Sequence, residues 1–237
     1  MKIFDIDVNK INCRYFSRGA QLNFYKEEFL SLLAPEEILF SKHLKEGQSV
    51  LDLGCGAGRT TTHVHKVTDK VVGIDLSEVL IETAREKHDD IDFRVMDASK
   101  LDFPDGSFDV VIFSNNGLCY LYPEEKRLTA IKEIERVLKK GGVLIFSSFN
   151  RLLPLALYAV VNLVVTKLIM GFSSSYTIHL TRHGMTVNYE TSPEEEARLF
   201  GQNNFELIEQ LPMTEKVGAL GYEPAVLTYY AFRKLSD

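Results

Sequence analysis

The strongest constraint on this chain is the stretch Val50-Leu51-Asp52-Leu53-Gly54-Cys55-Gly56-Ala57-Gly58-Arg59, an apolar run with one acid that leads straight into alternating glycines. Such a pattern suits a strand that ends abruptly and a backbone that turns close to a ligand, where a Cβ would stand in the way. The dinucleotide fingerprint G-x-G-x-x-G/A needs a small residue where this chain has Arg59, and Gly58 comes one position too early for it. The spacing argues against a turn built around a pyrophosphate.

From Gln48 onward, short β-rich runs alternate with helical patterns, the signature of βαβ units and a parallel sheet. Strands are expected at 48–53, 70–75, 91–96, 107–114 and 142–149, with two more near 205–211 and 225–233. Helices are expected to start near Ala57, Ser77 and Pro123, and another to run from Pro193 to about Gly201 behind a Ser192 cap. Gly141-Gly142 is expected to close the third of these. The result is an α/β chain with a doubly wound, mostly parallel seven-stranded sheet and helices on both faces. With 237 residues, 45% of them hydrophobic, one sizeable core is affordable, and residues 1–237 are expected to form a single domain.

Charge and cysteines narrow the function. A net charge of -6 gives no general attraction to phosphate backbones, so no nucleic-acid partner is expected. Cys13, Cys55 and Cys119 are far apart and form no metal-ligand spacing, which predicts no metal and a reducing, cytoplasmic setting. The opening Met1-Lys2-Ile3-Phe4-Asp5-Ile6-Asp7 places acids where an export signal would be apolar.

The acid-x-G-x-G-x-G form at Asp52, Gly54, Gly56 and Gly58 closely resembles motif I of the class I, Rossmann-like, seven-stranded S-adenosylmethionine-dependent methyltransferases. Phe108-Asp109-Val110-Val111 and Arg136-Val137-Leu138-Lys139-Lys140-Gly141-Gly142 look like later motifs of that family, and the resemblance covers residues 48–149 well. It implies S-adenosyl-L-methionine as cofactor and S-adenosyl-L-homocysteine as product. Asp75 ends the second strand about 20 residues after the first glycine, the offset at which an acid meets ribose hydroxyls. The resemblance adds Cys55 in the turn, Leu76 beside Asp75, Asp97 on the adenine amino group, the Ala98 amide on the ring, and Ser114 with Asn115 near the methionine portion. Asp52 either braces the turn or attracts the ligand's amino group. Tyr15 and Tyr25, with Arg14 and Arg18, are candidates for the cofactor carboxylate by the same analogy.

A sulfonium methyl is already activated, so the protein need mainly align nucleophile, methyl and sulfur. Positioning supplies about 7–11 kcal/mol, against roughly 3–5 kcal/mol for a general base. If a base acts, His179 and His183 are the candidates, because the segment carrying them should overhang the methyl group. Asn116, Tyr120 and Tyr158 are candidates to bind the acceptor. The family's N/D-P-P-Y/F motif for methylating nucleic-acid bases is replaced by Asn115-Asn116-Gly117-Leu118.

Two segments lie outside the motifs. Residues 1–46 are expected to form an N-terminal lid, with two helices in 21–45 broken at Ala34-Pro35. Residues 151–190 are too long for a plain connection and are expected to form a helical insertion that caps the substrate. Leu152 to Phe172 is nearly continuous in apolar residues, but Pro154, Asn162, Thr166 and Lys167 interrupt it. A central lysine costs about 2.5–3.5 kcal/mol in a bilayer, so spanning is not expected. Substrate capping, homodimerisation and peripheral membrane contact are the uses left for that surface. The expected activity is methyl transfer to a small, partly apolar acceptor. The alternatives are a non-catalytic S-adenosylmethionine-binding or membrane-associated protein, and an NAD-type Rossmann oxidoreductase, which Arg59 and the lack of a Tyr-x-x-x-Lys pair disfavour.

Overall fold

The computed structural model describes residues 7–28, 30–151, 157–170, 175–181, 184–213 and 227–236. Four strands, β1 (Val50–Leu53), β2 (Val71–Asp75), β3 (Asp92–Val95) and β4 (Phe108–Phe113), lie parallel with β5 (Leu138–Asn150) in the order β3-β2-β1-β4-β5. After β6 (Tyr176–Thr181) and β7 (Gly184–Thr191) the chain returns to this sheet with β8 (Phe205–Pro212) and β9 (Leu227–Lys234). Strand β9 runs antiparallel between β5 and β8, from Val143↔Arg233 to Phe149↔Leu227 on one side. The seven strands expected from the sequence are all present.

Alternation along the strands sends side chains to two cores. Val50, Val110, Ile112 and Ile145 pack with Leu39 and Phe40 of α3 (Ala34–His43), Val64 of α4 (Arg59–His65) and Ile81 and Ala84 of α5 (Glu78–Lys87). Leu51, Leu53, Val111, Leu144 and Phe146 face Ile131 and Ile134 of α6 (Glu124–Val137) and Phe200 of α8 (Pro193–Gly201). Each fully buried apolar side chain contributes roughly 1.5–3 kcal/mol. A strand covered on both faces needs no polar alternation, hence the continuous Val-Leu and Val-Val-Ile runs.

The caps follow the sequence closely. Ser77 accepts the amide of Leu80 at the start of α5, and Ser192 forms a capping box with Glu195 at α8. The end of α6 differs from expectation: the helix stops at Val137, and Leu138 already pairs with Phe108. Gly141, at φ 74°, lies inside β5 where its register with β4 shifts between Leu138 and Val143, and does not close the helix.

The N-terminal segment holds more than the two expected helices. It contains α1 (Val8–Phe16), α2 (Gly19–Asn23), a π-helical turn at Phe24–Glu28, and α3. The insertion carries helix α7 (Leu157–Met170), but its latter part is a β-hairpin, β6–β7, with Ile178 opposite Val187. The hairpin continues the main sheet where Phe149 and Asn150 pair with Glu190 and Thr191 of β7. Val164 and Leu168 of α7 are exposed, and no helix among the described residues is long and apolar enough to cross a membrane.

A buried ion pair joins the second core to the hairpin. Arg127 of α6 donates from Nη2 to both carboxylate oxygens of Glu196 of α8, at 2.6 and 2.8 Å, and its guanidinium lies 4.4 Å from the Tyr189 ring centroid of β7. Both partners are fully buried. Removing one partner strands the other charge, so Glu196→Ala is expected to cost about 3–5 kcal/mol in a denaturant melt. Replacing both residues by methionine should recover most of that loss.

Candidate functional site

The strands β1, β2 and β4 end at one edge of the sheet, and their carboxyl ends open into a cavity of about 190 Å³. A water needs roughly 10–15 Å³ on this measure, so there is room for on the order of a dozen, the scale of a small organic molecule. Gly54, Cys55, Gly56 and Ala57 form its floor. Gly54 and Gly56 hold φ of 63° and 57°, a conformation that favours glycine. A Cβ on Gly54 would come within 3.1 Å of the Phe113 ring, so that position is closed by contact as well as by conformation.

Two acids stand at successive strand ends. Asp75 accepts the amide of Gly56 at 3.0 Å on Oδ2 and that of Ser77 at 2.8 Å on Oδ1, so one carboxylate fixes both the glycine turn and the start of α5. Burial nevertheless pushes its pKa up, against the amide hydrogen bonds from Ser77, Gly56 and Leu76. Asp97 accepts from the amide and hydroxyl of Ser99 and pairs with Lys126 at 2.7 Å. Partial burial opposes its ionisation, but these donors hold it below the usual carboxylate range. Leu76, Leu80, Met96 and Ala98 line the space around the two acids and offer apolar contact for a flat base.

Asp52 is adjacent to the turn but buried, and it does not line the cavity. Its Oδ2 accepts hydroxyls from Thr60 and Thr61 at 2.6 and 2.7 Å, tying β1 to α4. Burial lifts its pKa to about 6, with those two hydroxyls pulling the other way. Of the two roles open to it from the sequence, bracing matches this geometry.

Arg59, the residue that breaks the dinucleotide fingerprint, makes a two-pronged bond to Glu36 of α3 at 2.5 and 2.8 Å. Glu36 also accepts the Leu33 amide at 2.8 Å and the Ser114 hydroxyl. Glu36 is completely buried, which opposes its charge, yet Arg59 and the other donors hold its pKa below the ordinary value. The network pins the lid helix α3 to the glycine turn and to the end of β4.

Helix α1 closes the other side of the cavity through two asparagines. Asn12 donates to the carbonyls of Val187 and Tyr120 at 2.7 and 3.1 Å and accepts the Val187 amide at 2.9 Å. Asn9 donates to the Tyr122 carbonyl at 2.6 Å. Lid and hairpin are thereby joined to the loop after β4.

Among the residues expected from sequence, Gly54, Cys55, Gly56, Asp75, Leu76, Asp97, Ala98, Ser114, Asn115 and Tyr120 converge on the cavity, as does Tyr25. Tyr15 packs edge-on against Phe16 at 5.2 Å and does not line it, nor do Gly58, Arg14 and Arg18. Asn116 is fully buried behind the wall, its amide bonded to the Ser147 hydroxyl. His179 sits on the hairpin, over a third exposed, with Nε2 3.1 Å from Glu190, away from the cavity. His183 lies outside the described residues, as does the side chain of Tyr158. Sequence reasoning missed Asn9, Asn12, Cys13 and Phe16 of α1, and Lys126. Lys126 carried a signal: a cation in the first turn of a helix opposes the dipole unless an acid holds it.

Residues 50–142 match the family model described as a methyltransferase domain. The chain is 38% identical over 113 residues to a phosphatidylethanolamine N-methyltransferase of Cereibacter sphaeroides, covering 44% of this chain and 53% of that one. It is 32% identical over 135 residues to a malonyl-[acyl-carrier protein] O-methyltransferase of Erwinia billingiae, covering 57% and 52%. The chain thus spans about half the length of these curated relatives. Among solved structures, a SAM-dependent methyltransferase from Methanosarcina mazei superposes with a TM-score of 0.74 at 22% identity, covering 88% of this chain and all of that one.

The raised pKa of Asp52 has a sign that can be measured. A carboxyl at about 6 in the folded chain, against an ordinary 3.8, binds more protons folded than unfolded between those values, so stability falls as pH rises through that window. Asp52→Asn keeps an acceptor for the threonine hydroxyls and removes the titration. Between pH 4 and 7 the parent is expected to lose about 2 kcal/mol more than the variant in urea melts.

Proposed function

We propose that this chain, whose residues 50–142 match a family model described as a methyltransferase domain, is a class I, S-adenosylmethionine-dependent methyltransferase that transfers a methyl group to a small, partly apolar acceptor by in-line displacement. The observation that carries the reading is the cavity at the carboxyl edge of the sheet, with the glycine turn and two strand-end acids around it. An adenosine fits this set of groups. Asp75 stands where ribose hydroxyls need an acceptor, Asp97 where an exocyclic amine does, and Leu76, Leu80 and Met96 where a base needs apolar cover. A dinucleotide fits less well, because the lining cations Arg59 and Lys126 are both held in ion pairs.

The bound donor supplies a methyl group on a sulfonium, already activated toward a nucleophile. The chain's own contribution is orientation and exclusion of water. The Asp75 bonds to Gly56 and Ser77 keep the turn in place, and Ser114 and Asn115 present the end of β4 toward the methionine portion. Asn12 and Asn9 hold α1 over the cavity. His179 has no part in this reading, since its ring is bonded to Glu190 on the hairpin. Positioning, worth about 7–11 kcal/mol, is sufficient for such a reaction.

Thermal shift tests the cofactor. S-adenosylhomocysteine at a hundredfold excess over its Kd should stabilise the chain by about 2.7 kcal/mol, or roughly 5–10 °C in Tm. Stabilisation by NADH and none by S-adenosylhomocysteine would overturn the reading. Asp75→Ala should weaken S-adenosylhomocysteine binding by about 2–4 kcal/mol on calorimetry, and an unchanged Kd would remove the ribose role.

A further inference from the structure

We infer that Lys126 reads the base of the methyl donor, donating to a ring nitrogen of adenine that flanks the exocyclic amine held by Asp97. The inference rests on the methyl-transfer reading and on Asp97 as the acceptor for that amine. Both side chains line the cavity, Lys126 from the first turn of α6 and Asp97 from the segment after β3. Asp97 Oδ1 accepts the amide and the hydroxyl of Ser99, at 2.9 and 2.7 Å, while Oδ2 lies 2.7 Å from Lys126 Nζ. An ionised carboxylate has about four lone-pair sites, two on each oxygen. Oδ1 is therefore filled, and Oδ2 has one place left. Any N–H brought to Asp97 must enter at Oδ2, beside the Lys126 ammonium.

That ammonium has donors to spare. It carries three N–H groups, one of which serves Oδ2, and its side chain has no second hydrogen-bond partner among the described residues. An acceptor and a donor side by side are what an asparagine or glutamine carboxamide offers adenine, taking the amine on one atom and giving to the neighbouring ring nitrogen from the other. Adenine carries such a nitrogen on each side of its amine, N1 and N7. A base with a carbonyl in place of the amine would set oxygen against Oδ2. The ring nitrogen is neutral, so this contact leaves the bond between Lys126 and Asp97 in place. Met96 and Ala98, on either side of Asp97 in sequence, line the cavity with it and limit the water that would compete for these bonds. Fastening α6 to this segment does not account for the pair. Glu133 of the same helix accepts the Leu101 amide at 2.9 Å, and Arg136 donates to the carbonyls of Leu101 and Phe103 at 3.0 and 2.7 Å. A lysine in the first turn works against the helix dipole, so a purely structural link is better placed further along α6, where those bonds are.

Calorimetry on the full chain tests this, with S-adenosylhomocysteine and its 1-deaza and 7-deaza analogues as probes. Each analogue replaces one of the two flanking ring nitrogens by C–H and keeps the amine. The parent is expected to bind at least one analogue about tenfold more weakly than S-adenosylhomocysteine. In Lys126→Met, which keeps the apolar stem, S-adenosylhomocysteine itself should weaken by about tenfold, and the penalty on one analogue should shrink to within about twofold, identifying the nitrogen. Penalties that are the same in the parent and the variant overturn the inference. So does a parent that binds both analogues within about twofold of S-adenosylhomocysteine, a result that depends on no variant folding. Either outcome with S-adenosylhomocysteine still bound leaves the methyl-transfer reading standing, whereas a parent that does not bind S-adenosylhomocysteine overturns both.

Discussion

The Glu36 carboxylate is the interaction on which the architecture of this site depends. A fully buried acid is tolerated only when its oxygens are bonded, and here Arg59, Ser114 and the Leu33 amide supply the donors. Each donor comes from a different part of the fold: the start of α4, the end of β4 and the entry to α3 itself. Satisfying one charge thus brings the lid helix, the glycine turn and the fourth strand to a common point. The cavity is bounded by what that point fixes.

A second layer of order comes from backbone groups that would otherwise be orphaned. Asp75 accepts one amide from the glycine turn and one from the start of α5, and Asp52 gathers two hydroxyls at the first turn of α4. Each acid makes a local bend rigid, so the floor of the cavity is set before any ligand arrives. Preorganisation of this kind matters most where chemistry relies on alignment.

The sheet was legible because its strands are buried on both faces and read as unbroken β-branched and aliphatic runs, with glycine, proline and serine at their ends. The nucleoside side of the cavity was legible for a related reason: Asp75 and Asp97 are polar residues at the ends of apolar strands. Helix α1 was not, since its inward face carries Asn12, whose role is hydrogen bonding, and a hydrophobic pattern cannot report it. The hairpin was legible in principle. Tyr176-Thr177-Ile178-His179-Leu180 and Met185-Thr186-Val187-Asn188-Tyr189 alternate around Gly184, but no Asn-Gly or Asp-Gly pair marks a hairpin turn between them. The network at Glu36 could not be read at all, because its members lie far apart in the chain and only the folded sheet brings them together.

The hairpin's outward hydrogen-bonding groups are the most revealing detail of its design. At the facing pair Ile178 and Val187, the groups that point away from the partner strand do not seek another strand. The Ile178 amide bonds the Thr166 hydroxyl of α7 at 2.8 Å, and both backbone groups of Val187 bond the Asn12 side chain. A short two-stranded ribbon with bare edges invites pairing with the same ribbon of another molecule. At this rung each edge meets a side chain that mimics one step of a ladder and cannot supply the next, and further along β7 the edge is taken up by β5. The ribbon is thereby protected at this rung against growing into an intermolecular sheet, and removing Asn12 would expose an adhesive edge as well as loosen a lid.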